Sequence, residues 1–168
     1  MPNLLYDYLA HDHDRLDRLL QEATAQPGVI RRELYDAFRQ GILRHIGIEE
    51  RIVLPTIARL QNGNQAKVAQ RLRLDHGAIA ALMVPPPSPT IVATLLSILT
   101  AHNALEEQED GLYFLLNRLA SDEEDALLER MKTTPDVPVM PYNPTSDTLE
   151  ATKRALRRAG YELLNRTP

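Results

Sequence analysis

The sequence predicts an all-α fold: an antiparallel four-helix bundle with an extended Pro-rich arm and a C-terminal helix. Three observations predict it. Apolar residues recur at three- and four-residue spacing through four long segments, sustained two-residue alternation is absent, and all prolines but Pro55 fall at or outside the ends of those segments.

Each element follows from local signals. Helix A is expected from about Asn3 to Ala25, with Leu5, Leu9, Leu16, Leu20 and Ala23 on one face and Gln26-Pro27-Gly28 as its stop. Helix B is expected from Val29 to Leu60, carrying Leu34, Phe38, Ile42, Ile52 and Ile57, with a kink or break at Pro55 and an end at Asn62-Gly63-Asn64. Helix C is expected over Gln65–Val84, carrying Ala69, Leu72, Ile79 and Met83. Pro85, Pro86, Pro87, Ser88 and Pro89 form a stiff connector. Helix D is expected from Thr90 to Leu119, carrying Leu95, Leu99, Leu112 and Leu116, with a shorter helix from Ser121 to Lys132 after a bend. Four long helices on short loops pack antiparallel by default. Pro135, Pro138, Pro141 and Pro144 make Thr133–Asp147 an extended arm, and Asp147 is a plausible N-cap for a last helix over Thr148–Asn165. The domain reading is therefore a bundle over 1–132 and an arm with a C-terminal helix over 133–168, docked on the bundle or on a second copy of the chain as a homodimer.

Composition bounds the chemistry. The 168 residues suit one domain with a tail, and 43% hydrophobic with 25% charged residues is ordinary for a soluble protein. The absence of cysteine excludes disulfides, thiolate-bound zinc, iron–sulfur clusters and thiol catalysis. A formal net charge of −4 offers no footprint for nucleic acid. The N-terminus does not read as a signal peptide, and no run approaches the ~20 apolar residues of a membrane span. A cytoplasmic location with no membrane partner is expected.

The polar residues carry the information. Asp12-His13-x-x-aliphatic in helix A repeats as Asp75-His76-x-x-aliphatic in helix C, and His45-x-x-x-Glu49-Glu50 in helix B repeats as His102-x-x-x-Glu106-Glu107 in helix D. The core stripes pass through 9, 13, 16 and 20; through 38, 42, 45, 49 and 52; through 69, 72, 76, 79 and 83; and through 95, 99, 102 and 106. His13, His45, Glu49, His76, His102 and Glu106 are thus all expected to face inward. Burying two carboxylates without partners is prohibitively costly, and a pair of divalent cations removes the cost. Residues four apart on a helix lie on one face ~6 Å apart along the axis, within reach of two ions ~3.5–4 Å apart. Ferritin-like sites use Glu-x-x-His on two helices with two lone glutamates. The reversed order here, with lone histidines, points to a more imidazole-rich centre.

The set His13 … His45-x-x-x-Glu49 … His76 … His102-x-x-x-Glu106, spanning Leu4 to Leu119, resembles the hemerythrin-like, or HHE cation-binding, family. The resemblance implies an up-down-up-down bundle and a cofactor of two carboxylate-bridged non-haem iron ions with a bridging oxo or hydroxo. It also implies binding of O2, NO or peroxide. Oxygen carriers of the family place a further histidine four residues after the one on helix C, where this chain has Ala80. The four-His, two-Glu set is closer to the bacterial HHE and repair-type members.

Other residues have plainer readings. His11 falls off the stripe and is expected at the surface. Glu50 and Glu107 are expected to be solvated or paired with arginines. Glu109, two turns past His102, lies ~10 Å along the axis and is set aside in favour of Glu106. Asp12 and Asp75 read first as helix-surface charge and second as acceptors orienting neighbouring groups. Gly41, Gly47 and Ala80 fit a gas path or close helix packing, and Tyr8 and Tyr113 read as core residues before they read as partners of a bound ligand.

Three functions fit. The first is a di-iron protein binding a small ligand for sensing, storage or oxidative and nitrosative stress defence. The second is an iron-centre repair or peroxide-reducing protein. The third is a helical interaction module whose Lys153, Arg154, Arg157 and Arg158 meet an acidic partner.

Overall fold

The spacing of apolar residues is realised as helix throughout: in the computed structural model, which describes residues 3–165, every regular element is helical. In chain order these are α1 Leu4–Ala23, α2 Arg32–Ile48, α3 Leu54–Leu60, α4 Ala69–Leu82, α5 Pro89–Glu107, α6 Leu112–Leu119, α7 Glu124–Lys132 and α8 Ser146–Arg158. A π-turn over Glu49–Val53 joins α2 to α3, and a 3-10 turn over Ser121–Glu123 leads into α7. No helix among the described residues is long and apolar enough to cross a membrane.

Four expected helices are divided, displaced or shortened, three of them for a physical reason. Helix B begins at Arg32 and is interrupted by the π-turn. Pro55 lacks an N–H, and the backbone one turn before it widens, with the Leu54 N–H reaching the Glu49 carbonyl five residues back. Helix D stops at Glu107 and restarts at Leu112 across a tight turn. A Cβ on Gly111 would lie 2.5 Å from the Glu106 carbonyl oxygen and 2.8 Å from that of Gln108, so the turn needs a glycine for close approach. The last helix is capped by Thr145, not Asp147: its hydroxyl accepts from the Thr148 N–H at 3.3 Å. It ends at Arg158, and Gly160, with a φ of +83°, turns the chain while the Tyr161 N–H returns to the Leu156 carbonyl. Helix C is shorter than expected, starting at Ala69.

Two apolar clusters form the core, with the polar residues between them. One holds Leu16, Leu20, Phe38, Ile42, Ile79, Leu82, Leu95 and Ile98. The other holds Leu5, Leu9, Ile48, Ile52, Ala69, Leu72, Leu112 and Leu116. In sequence order α1 enters the second cluster and then the first, α2 the first and then the second, α4 the second and then the first, and α5 the first before α6 joins the second. Each long helix carries its histidine at the crossover. Gly41 is close packing: a Cβ there would lie 2.5 Å from Leu16 Cδ2.

Residues 134–145 carry no regular secondary structure and are held by side chains of α2. The buried Arg39 donates to the carbonyls of Met83 and Met140 at 2.6 Å each and lies over the Tyr142 ring, while Arg44 donates to the carbonyl of Thr134 at 2.9 Å. Helix α8 lies against α4, burying Leu156 and Ala159 in the first cluster, and the Thr152 hydroxyl donates to the Ala81 carbonyl.

Candidate metal centre

All six residues singled out from the sequence are buried between the two apolar clusters, and Glu49 and Glu106 are fully inaccessible. His13 comes from α1, His45 from α2, Glu49 from the first residue of the π-turn, His76 from α4, and His102 with Glu106 from α5. His13, His45 and Glu49 form one group able to hold a metal ion, and Glu49, His76, His102 and Glu106 form a second, with Glu49 common to both. His11 is exposed, as expected, and Glu109, set aside for its distance along the helix, is exposed as well.

The two carboxylates face both ways. Glu49 Oε1 lies 3.3 Å from His45 Nε2, and its Oε2 lies 3.1 Å from His76 Nε2. Glu106 Oε2 lies 3.5 Å from His13 Nε2, and its Oε1 lies 3.2 Å from His102 Nε2.

Each of these four histidines turns its other nitrogen to a carboxylate on a neighbouring helix or turn. His45 Nδ1–H donates to Asp12 at 2.8 Å, His76 Nδ1–H to Glu50 at 2.6 Å and His13 Nδ1–H to Glu107 at 2.5 Å, while His102 Nδ1–H points to Asp75 at 3.4 Å. The four contacts form a closed ring. The acid on α1 serves α2, that after α2 serves α4, that on α4 serves α5, and that on α5 serves α1. For Asp12 and Asp75 the first reading, helix-surface charge, is therefore corrected in favour of the second, acceptors that orient neighbouring groups. Glu50 pairs with Arg73 at 3.4 Å, as expected, and accepts from His76 as well, and Glu107 accepts from His13. In the neutral imidazole with Nδ1 as donor, each Nε2 offers a lone pair to the interior, the tautomer a metal requires.

Sequence reasoning also undervalued Tyr113. It is fully buried, and its hydroxyl donates to Glu49 Oε1 at 2.6 Å while lying 3.2 Å from Glu106 Oε2 and 3.1 Å from both His13 Nε2 and His45 Nε2. The tight turn at Gly111 brings α6 back over α5, a path that periodicity does not report.

The protonation energetics show a site made for positive charge. Burial pushes His45, His76 and His102 down, but the facing carboxylates outweigh it and lift them to about 10, about 9 and about 10. Burial raises both glutamates; His45 and His76 overcome it at Glu49, which falls well below the usual range, whereas at Glu106 burial and the charge of Glu49 prevail. Burial, then Glu106 and Glu49, raise the Tyr113 phenol well above its ordinary value. Without metal, protons must supply the compensating charge. His76 Nε2, Glu49 Oε2 and Glu106 Oε1 still have no hydrogen-bond partner among the described residues. Three buried polar atoms from three elements, unpaired and mutually close, are what a cation satisfies. The donor set fits a metal.

Comparison with known families agrees. The model of the family described as Hemerythrin HHE cation binding domain matches residues 4–111, well over half of the chain. No curated protein and no solved structure gave a match.

Proposed function

The chain belongs to the hemerythrin HHE cation-binding domain family, and from that premise we propose that it holds two non-haem iron ions. Glu49 and Glu106 bridge them, His13 and His45 hold one, and His76 and His102 hold the other. The observation that carries this reading is the two-sided placement of both carboxylates between the two histidine pairs, at 3.1–3.5 Å. Ligands bound cis at ~2.1 Å on an octahedral ion stand ~3.0 Å apart, so these edges need to contract by only a few tenths of an ångström. A mixed imidazole and carboxylate set suits iron. Two such ions supply one-electron redox steps and open positions for a small ligand.

The function this supports is binding of O2, NO or peroxide for sensing, storage or defence against oxidative and nitrosative stress. The chain's own residues do the rest: the ring of carboxylates orients the imidazoles, and apolar layers on both sides limit water. The order in which the helices cross those layers supports an up-down-up-down bundle within 1–132, with 133–168 docked on it. The protein is read as cytoplasmic, without nucleic-acid or membrane partners.

The test is reactivity. Ala80 supplies no further imidazole, so reduced iron-loaded protein should bind NO anaerobically and autoxidise readily in O2, and azide should bind the oxidised form. A metal-loaded protein whose spectra respond to none of the three would overturn the small-ligand reading. A stable, reversible oxygenated form would restore oxygen carriage.

A further inference from the structure

Tyr113 lies beyond residue 111, where the family match ends, yet its hydroxyl touches four of the six residues of the proposed centre. We propose that Tyr113 is itself a ligand: its phenolate oxygen completes five protein donors on the ion held by His13 and His45. The ion held by His76 and His102, with four, then carries the exchangeable position.

Geometry is the first argument. Two ligands cis on one ion at ~2.1 Å stand ~3.0 Å apart. The Tyr113 oxygen meets Glu49 Oε1, Glu106 Oε2, His13 Nε2 and His45 Nε2 at 2.6, 3.2, 3.1 and 3.1 Å. It stands in cis relation to every other donor of that ion. The second argument is a proton count. With the imidazoles neutral, as metal binding requires, and each giving its Nδ1–H to a carboxylate, both Nε2 atoms and both carboxylate oxygens are acceptors, and one phenolic proton satisfies one of the four. A cation satisfies all four together, and the phenol proton leaves to solvent as the cation binds, as protons do when metals occupy imidazoles or thiols.

The third argument is the scaffold. Gly111 permits the turn that aims α6 at the centre, where a Cβ would collide with two backbone carbonyls. The side chain is locked by the rings of Tyr6 and His13, at 6.1 and 5.5 Å between centroids. The two halves of the centre then differ. Within the six-residue cluster, the atoms left without hydrogen-bond partners, His76 Nε2, Glu49 Oε2 and Glu106 Oε1, belong to the His76–His102 side. On α4, one turn after His76, Ala80 offers no donor. An incoming diatomic molecule or small anion is therefore directed to that side.

This inference rests on the di-iron reading, and the experiment separates the two. Ferrous iron is added anaerobically to the full chain, which is then oxidised in air. Iron content, visible absorption and resonance Raman spectra are recorded for wild type and Tyr113→Phe. The expected result is a visible phenolate-to-iron(III) band with enhanced tyrosinate ring modes in wild type, both lost in Tyr113→Phe. The Raman signature needs no variant and stands even where Tyr113→Phe folds poorly. Wild type that binds two irons without the band or the tyrosinate modes overturns the Tyr113 assignment and leaves the di-iron reading intact. Wild type that binds no iron overturns both.

Discussion

At the scale of the residue, the buried His/Glu cluster was legible because six polar side chains fell on apolar stripes, where water cannot satisfy them. Which acid supports which imidazole was not. Asp12 adjoins His13 in sequence, yet neighbours on a helix point about 100° apart, so Asp12 serves His45 across the helix pair. Glu50, following Glu49, reaches the opposite nitrogen of His76 because the wider π-turn changes the angle between successive residues. The three-dimensional ring fixes which acid serves which imidazole. Replacing such an outer acid with its amide removes the acceptor that holds the imidazole. Asp12→Asn and Glu50→Gln should each weaken metal binding roughly 10- to 100-fold, measured by competition with a chelator, while His11→Ala leaves affinity unchanged. Equal affinities in all three would show the ring to be incidental. A second expectation concerns pH. In the metal-free protein His45, His76 and His102 titrate at about 10, 9 and 10, against 6.5 in the unfolded chain. The folded state then binds more protons, so this stabilisation is complete below pH 6.5 and is lost as pH rises through 9 to 10. Thermal melts of metal-free protein should fall steadily from pH 7 to 10, and metal-loaded protein, whose imidazoles are held neutral by the metal, should not follow that slope.

At the scale of the element, helix positions were readable and helix interruptions less so. Leu95, Leu99, Leu112 and Leu116 read as one stripe because apolar spacing survives the turn at Gln108–Gly111, and no proline marks it. Had the helix continued, Tyr113 would lie ~10 Å along the axis from Glu106, not within 3.2 Å of its carboxylate. The signal available was one glycine after Glu107-Gln108-Glu109-Asp110, too slight to break a helix on paper. Pro55 did announce a disturbance, and the structure places its effect one turn earlier, at Glu49. Gly111→Ala tests the turn. The added Cβ meets the backbone carbonyls of Glu106 and Gln108, which cannot rotate aside as a flexible side chain would. A loss of about 1–3 kcal/mol is expected from overpacking, read in denaturant titrations, with weaker metal retention as α6 shifts. Wild-type stability and metal content in this variant would show that the turn relaxes freely.

At the scale of the whole molecule, a polar layer is held between two apolar ones. The tail is tied to the same arrangement: Arg71 donates to Asp75, which faces His102, and to the Ala159 carbonyl just past α8, while lying over the Tyr161 ring. The lack of regular structure over 134–145 was legible from its prolines, but the contacts of Arg39 and Arg44 with this run were not, because a buried arginine and an exposed one look alike in sequence. The layered arrangement leaves buried atoms without hydrogen-bond partners unless cations enter, so metal binding and folding are linked. The most direct test of two ions at one carboxylate-bridged centre is iron stoichiometry with magnetic state, measured on one reconstituted, air-oxidised sample. Two irons per chain, magnetically coupled to a silent ground state and both released when Glu49 is replaced by Ala, is the predicted result. One isolated high-spin iron per chain, or none, would contradict it.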